Sequence, residues 1–118
     1  MEIRAEVQHG KKIGRALGFP TANMSLEGYE VERGVYRSSI EIDGVEYRAM
    51  SNVGIRPSVG GKELLLETHV IGFEGNLYGR TLCVKLLEKI RDEKRFSSIS
   101  DLKDQLMRDY NSCVTITQ

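Results

Sequence analysis

Tryptophan is missing from this 118-residue chain, and proline, cysteine and histidine occur only twice each. Cys83 and Cys113 stand far apart with only His9 and His69 as nitrogen donors, so no pair has the spacing of a zinc site. A disulfide is not needed at this size, and two free thiols in a reducing compartment are expected. Long hydrophobic runs are also absent. The apolar stretches last a few residues, too short for a membrane-spanning helix. Glu2 to Val7 alternates charged and apolar residues and lacks the apolar block of a signal peptide. There is no excess of either charge, because 17 basic residues balance 17 acidic ones. That balance gives no reason to expect a nucleic-acid or membrane surface. The expectation is a soluble, cytoplasmic protein.

What is present fits one folded domain over residues 1–118. A hydrophobic share of 40% is ordinary for a globular chain, and the length suits one core. Ile3, Ala5 and Val7 alternate with polar residues, as in a half-buried strand. Val35–Ile42 and Val45–Val53 are strand-like runs joined by Asp43-Gly44, a pair suited to a type I′ turn because both positions need positive φ. Gly54 to Lys62 reads as a second loop, Leu64–Ile71 and Thr81–Ile90 as further strands, and Gly72–Asn76 as a turn. Ile99, Leu102, Leu106, Tyr110 and Cys113 recur at helical spacing. Ser98, with Asp101 three places on, can cap that helix, which should end near Asn111 before a loose tail. Short strands, glycine-rich turns and one terminal helix suggest a closed or nearly closed β-barrel with the helix packed outside, although periodicity alone does not separate a barrel from a sandwich.

Chemistry concentrates in His9–Asn23, HGKKIGRALGFPTAN. Gly10, Gly14 and Gly18 let backbone approach a bulky anion, and Lys11, Lys12 and Arg15 add positive charge. The pattern is not a Walker loop, and by itself a surface loop accounts for it equally well. Thr21 and Asn23 flank one residue, so in extended backbone they share a face. Their neutral oxygens suit magnesium when phosphates supply the charge, although such residues more often satisfy turn backbone. Glu67 sits in an apolar strand, where a carboxylate is exposed at a rim, paired with a base, or able to orient an attacking hydroxyl and take its proton. Arg56 and Arg91 read as structural ion-pair partners and His9 and His69 as structural. Met24, Met50 and Met107 read as core fillers.

The segment HGKKIGRALGFPTAN resembles the signature of the ATP-dependent riboflavin kinases, in which a glycine-rich loop runs into PTAN. The resemblance continues through Gly34-Val35-Tyr36, Asn52-Val53-Gly54 with Arg56-Pro57, Glu67-Thr68-His69, Leu77-Tyr78-Gly79, and Ile90-Arg91 to Phe96. It implies a mainly β fold, a six-stranded antiparallel Greek-key barrel with a C-terminal α-helix. It implies an enzyme that transfers the γ-phosphoryl group of Mg-ATP to the ribityl 5′-hydroxyl of riboflavin, giving FMN. By resemblance, Thr21 and Asn23 bind Mg²⁺ and the phosphates; Gly14, Arg15 and Gly18 belong to the loop over ATP. Leu77 and Tyr78 lie at the adenine, Arg91 and Phe96 near the flavin, and Glu67 is the catalytic base. Ile13, Ser58 and Gly72 depart from the usual pattern without touching PTAN or Glu67.

Such domains are often fused to an FMN adenylyltransferase, and nothing in these residues resembles that module, so FAD synthesis by this chain alone is not expected. Two other readings keep the barrel without the reaction: a catalytically silent flavin- or nucleotide-binding barrel, and a protein-interaction module.

Overall fold

A computed structural model describes residues 1–8, 18 and 20–114. Six strands, β1 (Glu2–Gln8), β2 (Ala22–Ser25), β3 (Gly34–Ile42), β4 (Val45–Ser58), β5 (Gly61–Val70) and β6 (Thr81–Arg91), are followed by one helix, α1 (Ile99–Val114). All neighbouring strands are antiparallel, and they close in the order β1-β2-β5-β4-β3-β6. β3, β4 and β5 form a meander, and β6 returns beside β3, which is a Greek-key connection. Closure satisfies both flanks of the ring, so among the described residues the sheet has no free edge strand.

Alternation decides which residues fill the barrel. On β1, Ile3 and Val7 are buried while Glu2, Arg4 and Gln8 are exposed. On β5, Leu66, Thr68 and Val70 point inward, and Leu65, Glu67 and His69 belong to the outer face. Ile3, Met24, Leu26, Ile40, Ile42, Val53, Leu66 and Val84 are nearly inaccessible and form the interior. Each large aliphatic side chain so placed contributes about 1.5–3 kcal/mol. Polar atoms in this interior are satisfied. Ser51 Oγ lies 2.7 Å from Ser38 Oγ and 2.8 Å from Thr68 Oγ1, a row of hydroxyls crossing three strands.

The β3–β4 turn has the expected backbone, with φ of 51° at Asp43 and 81° at Gly44. Gly34, where β3 begins, has φ of 149°, and a Cβ there would meet the Arg91 carbonyl oxygen on β6 at 2.6 Å. Only glycine lets those two backbones come so close. Gly54–Ser58, by contrast, is strand rather than loop. The β3–β4 ladder stops at Gly34↔Val53, but β4 continues against β5 as far as Ser58↔Gly61. Past the end of β3, main-chain bonds are needed on one side only, so Pro57 is tolerated there.

Helix α1 begins as expected: the Asp101 amide donates to Ser98 Oγ at 3.1 Å. It covers the outer face of β3 and β4, where Leu106, Tyr110 and Cys113 pack with Val35, Met50, Ile71 and Ile90. Two buried polar residues, Gln105 and Asp109, share that stripe. Asp109 receives Arg91 bidentately, Nε to Oδ1 at 2.9 Å and Nη2 to Oδ2 at 2.7 Å. Three expectations need correction. Ile99 is exposed because the first turn precedes the contact with the barrel. Met107 is exposed on the opposite side of the helix. The helix runs past Asn111 to Val114, because Arg37 donates to the Ser112 carbonyl at 3.0 Å and Arg48 to that of Val114 at 2.9 Å. The last turn carries no basic residue of its own, so the barrel supplies cations to carbonyls that a helix end leaves unpaired. Among the described residues both cysteines are free thiols, and no helix is long and apolar enough to cross a membrane.

Candidate active site

Asn23 and Glu67, 44 positions apart in sequence, are direct register partners across the β2–β5 ladder. β2 lasts four residues, and its Met24 pairs with Leu66 inside the barrel. That inward pair places its neighbours, Asn23 and Glu67, on the outer face. The Asn23 amide nitrogen donates to the Thr21 carbonyl at 3.5 Å, so the turn uses one end of the amide and leaves the carbonyl oxygen for a ligand. Of the threonine-asparagine pair, Asn23 thus stands directly across the ladder from Glu67.

A cleft of about 540 Å³ opens beside this pair, lined by Thr21, Asn23, Thr68, Phe73, Leu77 and Tyr78 among others. The four expected nucleotide-side residues Thr21, Asn23, Leu77 and Tyr78 thus share one cavity. The Tyr78 amide donates to Asn76 Oδ1 at 2.9 Å, which fixes the turn that carries its ring. Glu67 does not line the cleft. Asn23 belongs to both, with the cavity on one side and the carboxylate on the other. Gly18 is exposed with φ of 90°, so backbone conformation rather than crowding calls for glycine there. Gly14 and Arg15 lie outside the described residues.

The Glu67 carboxylate is held by one side. Arg56 Nη2 donates to Oε1 at 2.7 Å, while Arg56 Nη1 lies 3.4 Å from Glu93 Oε2. Arg33 closes on the other oxygen of Glu93 at 3.1 Å. The Arg56 guanidinium lies over Gly54, where a Cβ would collide with Arg56 Nη1 and with Glu93 Oε2. Arg56, expected in a structural ion pair, pairs with both Glu67 and Glu93. The glycine two positions before it in the strand is the signal that could have shown the approach. His69, also on the outer face, donates from Nδ1 to the Pro20 carbonyl at 2.8 Å, because a carbonyl can only accept. Its ring lies 5.9 Å from that of Tyr110 on α1.

The expected flavin contacts sit apart from this arrangement in their chemistry. Arg91 uses its guanidinium on Asp109 and on the Asp92 carbonyl, at 2.9 Å for the latter. Phe96 is half-buried on the connector between β6 and α1 that also carries Glu93. Lys89 anchors the start of that connector by its hydrogen bond to Asp92, which holds the Asp92 carboxyl below its ordinary range. No group of three or more acidic, histidine or cysteine side chains that could hold a metal exists among the described residues. The oxygens available to a cation here are the neutral ones of Thr21 and Asn23. Such a donor set fits magnesium if it arrives with phosphates.

The riboflavin kinase (flavokinase) family matches residues 1–117. A bifunctional riboflavin kinase/FMN adenylyltransferase of Pseudomonas fluorescens is 42% identical over 109 residues, 91% of this chain and 35% of that protein. A solved chain described as a macrolide-efflux protein from Streptococcus pneumoniae superimposes with a TM-score of 0.88 at 36% identity, covering 98% of this chain and 39% of that one. Riboflavin kinase from Trypanosoma brucei shares the fold, with a TM-score of 0.64 at 22% identity over 95% of this chain and 76% of the other. The chain spans about a third of the length of the first curated relatives it matches. By its sequence match and its barrel, this chain belongs to the riboflavin kinase family.

Proposed function

We propose that residues 1–118 act as one riboflavin kinase domain, transferring the γ-phosphoryl group of ATP to the ribityl 5′-hydroxyl of riboflavin to give FMN and ADP. The observation that carries this reading is the shared position of Asn23, between a cleft large enough for a nucleotide and the Glu67 carboxylate. ATP lies in the cleft with its base at Leu77 and Tyr78 and its phosphates towards Thr21 and Asn23. The loop containing Gly14, Arg15 and Gly18 covers them. Glu67 receives the riboflavin hydroxyl on the outer face, with Phe96 on the flavin side; Arg91 contributes there mainly by fixing α1 through Asp109.

Phosphoryl transfer leaves the protein chiefly positioning and electrostatic tasks. Arg56 holds Oε1 of Glu67, so the other carboxylate oxygen is oriented to accept the hydroxyl proton as the new O–P bond forms. Magnesium, if held by Thr21 Oγ1, Asn23 Oδ1 and the phosphates, would supply charge neutralisation on the leaving ADP. Small molecules are the partners proposed, in a cytoplasmic setting that suits two unpaired thiols. Incubating the protein with riboflavin and Mg-ATP and separating the flavins tests the assignment. FMN should accumulate with one ADP per flavin, and its absence at saturating substrates would defeat the reading.

A further inference from the structure

A third polar residue stands in the row that joins Asn23 to Glu67. Glu67 pairs with Asn23 on one side and with Asn52 on the other, so the three residues lie abreast across β2, β5 and β4. Side chains directly opposite in such ladders begin roughly 4.5–5.5 Å apart. Beyond Asn52 the row continues to Val35 on β3, which is buried beneath α1 together with Met50 and Cys113. Asn52 is therefore the last polar residue before the helix walls off the outer face. Its Oδ1 is buried and has no hydrogen-bond partner among the described residues. An acceptor removed from water without a donor is destabilising, and native proteins seldom keep one without a use.

We propose that Asn52 binds the phosphoryl acceptor, its Oδ1 accepting a hydrogen bond from a secondary hydroxyl of the same polyol chain whose terminal hydroxyl Glu67 engages. The inference rests on the reading given under Proposed function and adds a contact to it. A ribityl chain offers hydroxyl donors on successive carbons, and Glu67 and Asn52 offer acceptors on successive strands. The pair would thus read the polyhydroxylated chain rather than the ring, and would align its end for transfer. An acceptor with the same ring system and a chain bearing only its terminal hydroxyl would leave Oδ1 buried and unpaired, and the site would reject it for that reason.

Steady-state kinetics of the wild type, Asn52→Leu and Asn52→Ser test this. Leucine keeps the approximate volume without the acceptor, while serine restores a shorter one. Asn52→Leu should raise the riboflavin KM about tenfold, the loss expected for one neutral hydrogen bond, with the KM for Mg-ATP unchanged. Its thermal midpoint without ligand should be no lower than that of the wild type. Asn52→Ser should recover part of the loss. An unchanged riboflavin KM in Asn52→Leu, or a change in the Mg-ATP KM instead, overturns the proposal. Should Asn52→Leu fail to fold, riboflavin analogues lacking one secondary ribityl hydroxyl are assayed with the wild type. Indifference to every such deletion overturns the inference, and a loss confined to one position supports it. A wild type that makes no FMN would sink the kinase reading itself, a result distinct from either.

Discussion

His69 Nδ1 lies 2.8 Å from the carbonyl oxygen of Pro20, tying the outer face of β5 to the residue that introduces Thr21 and Asn23. The same ring rests near Tyr110. This side chain thus holds the Pro20–Asn23 turn against both sheet and helix.

Replacing His69 with phenylalanine keeps a ring beside Tyr110 and deletes the donor. A neutral hydrogen bond contributes about 0.5–1.5 kcal/mol, so the KM for Mg-ATP should rise about threefold to tenfold. Riboflavin KM should change little. His69→Asn, whose amide nitrogen can stand close to Nδ1, should restore part of the nucleotide affinity. Kinetics in both substrates distinguish this from general loosening, which would weaken the two together.

Glu67→Gln keeps shape and removes the proposed base. Turnover should fall on the order of 10²–10⁴-fold, while riboflavin binding, followed by quenching of flavin fluorescence in the presence of Mg-ADP, should persist. Near-normal turnover would remove Glu67 from the mechanism.

Gly54→Ala probes the route by which Arg56 reaches that carboxylate. The added methyl would strike the ends of two long side chains rather than backbone, so the fold should tolerate it. The guanidinium must move, however, and Glu67 loses its 2.7 Å partner. The expected result is a drop in kcat of about tenfold, the scale of a displaced charge-assisted bond, with a nearly unchanged denaturation midpoint. Equal loss of activity and stability would show that Gly54 serves packing alone.

Burial pushes the Cys113 thiol up to about 11 from 9.0, with the Arg37 charge working against the shift and that of Asp109 adding to it. Between those two pH values unfolding releases a proton, so stability is full below pH 9 and declines as pH rises towards 11. Urea midpoints measured from pH 8 to 10.5 should fall more steeply for the wild type than for Cys113→Ala. Parallel slopes would show that other groups carry the alkaline loss.

Some of this architecture is written locally and some is not. The Asp43-Gly44 turn and the Ser98 cap depend on neighbours in sequence, and both are legible there. The stretch Gly54–Ser58 looks like a loop because glycine and proline punctuate it, yet β5 supplies a partner that local chemistry cannot announce. Likewise, the helix extends to Val114 on cations delivered by β3 and β4. At the site, PTAN and Glu67 stand out through the family resemblance. Arg56 and Asn52 join Glu67 only through strand register, and register is a property of the assembled sheet. Met107 differs for a simpler reason: hydrophobicity alone suggests the core, while its position on the helix puts it on the exposed side.

The brevity of β2 gives the barrel a further property. Four residues carry Asn23, whereas Glu67 and Asn52 ride on the long β4–β5 hairpin. A chain with that hairpin paired but β2 undocked would keep the proposed proton acceptor and lack the proposed phosphate ligand. On the proposed reading, chemical competence therefore needs the short stave β2 in place against β5 as well as the hairpin itself.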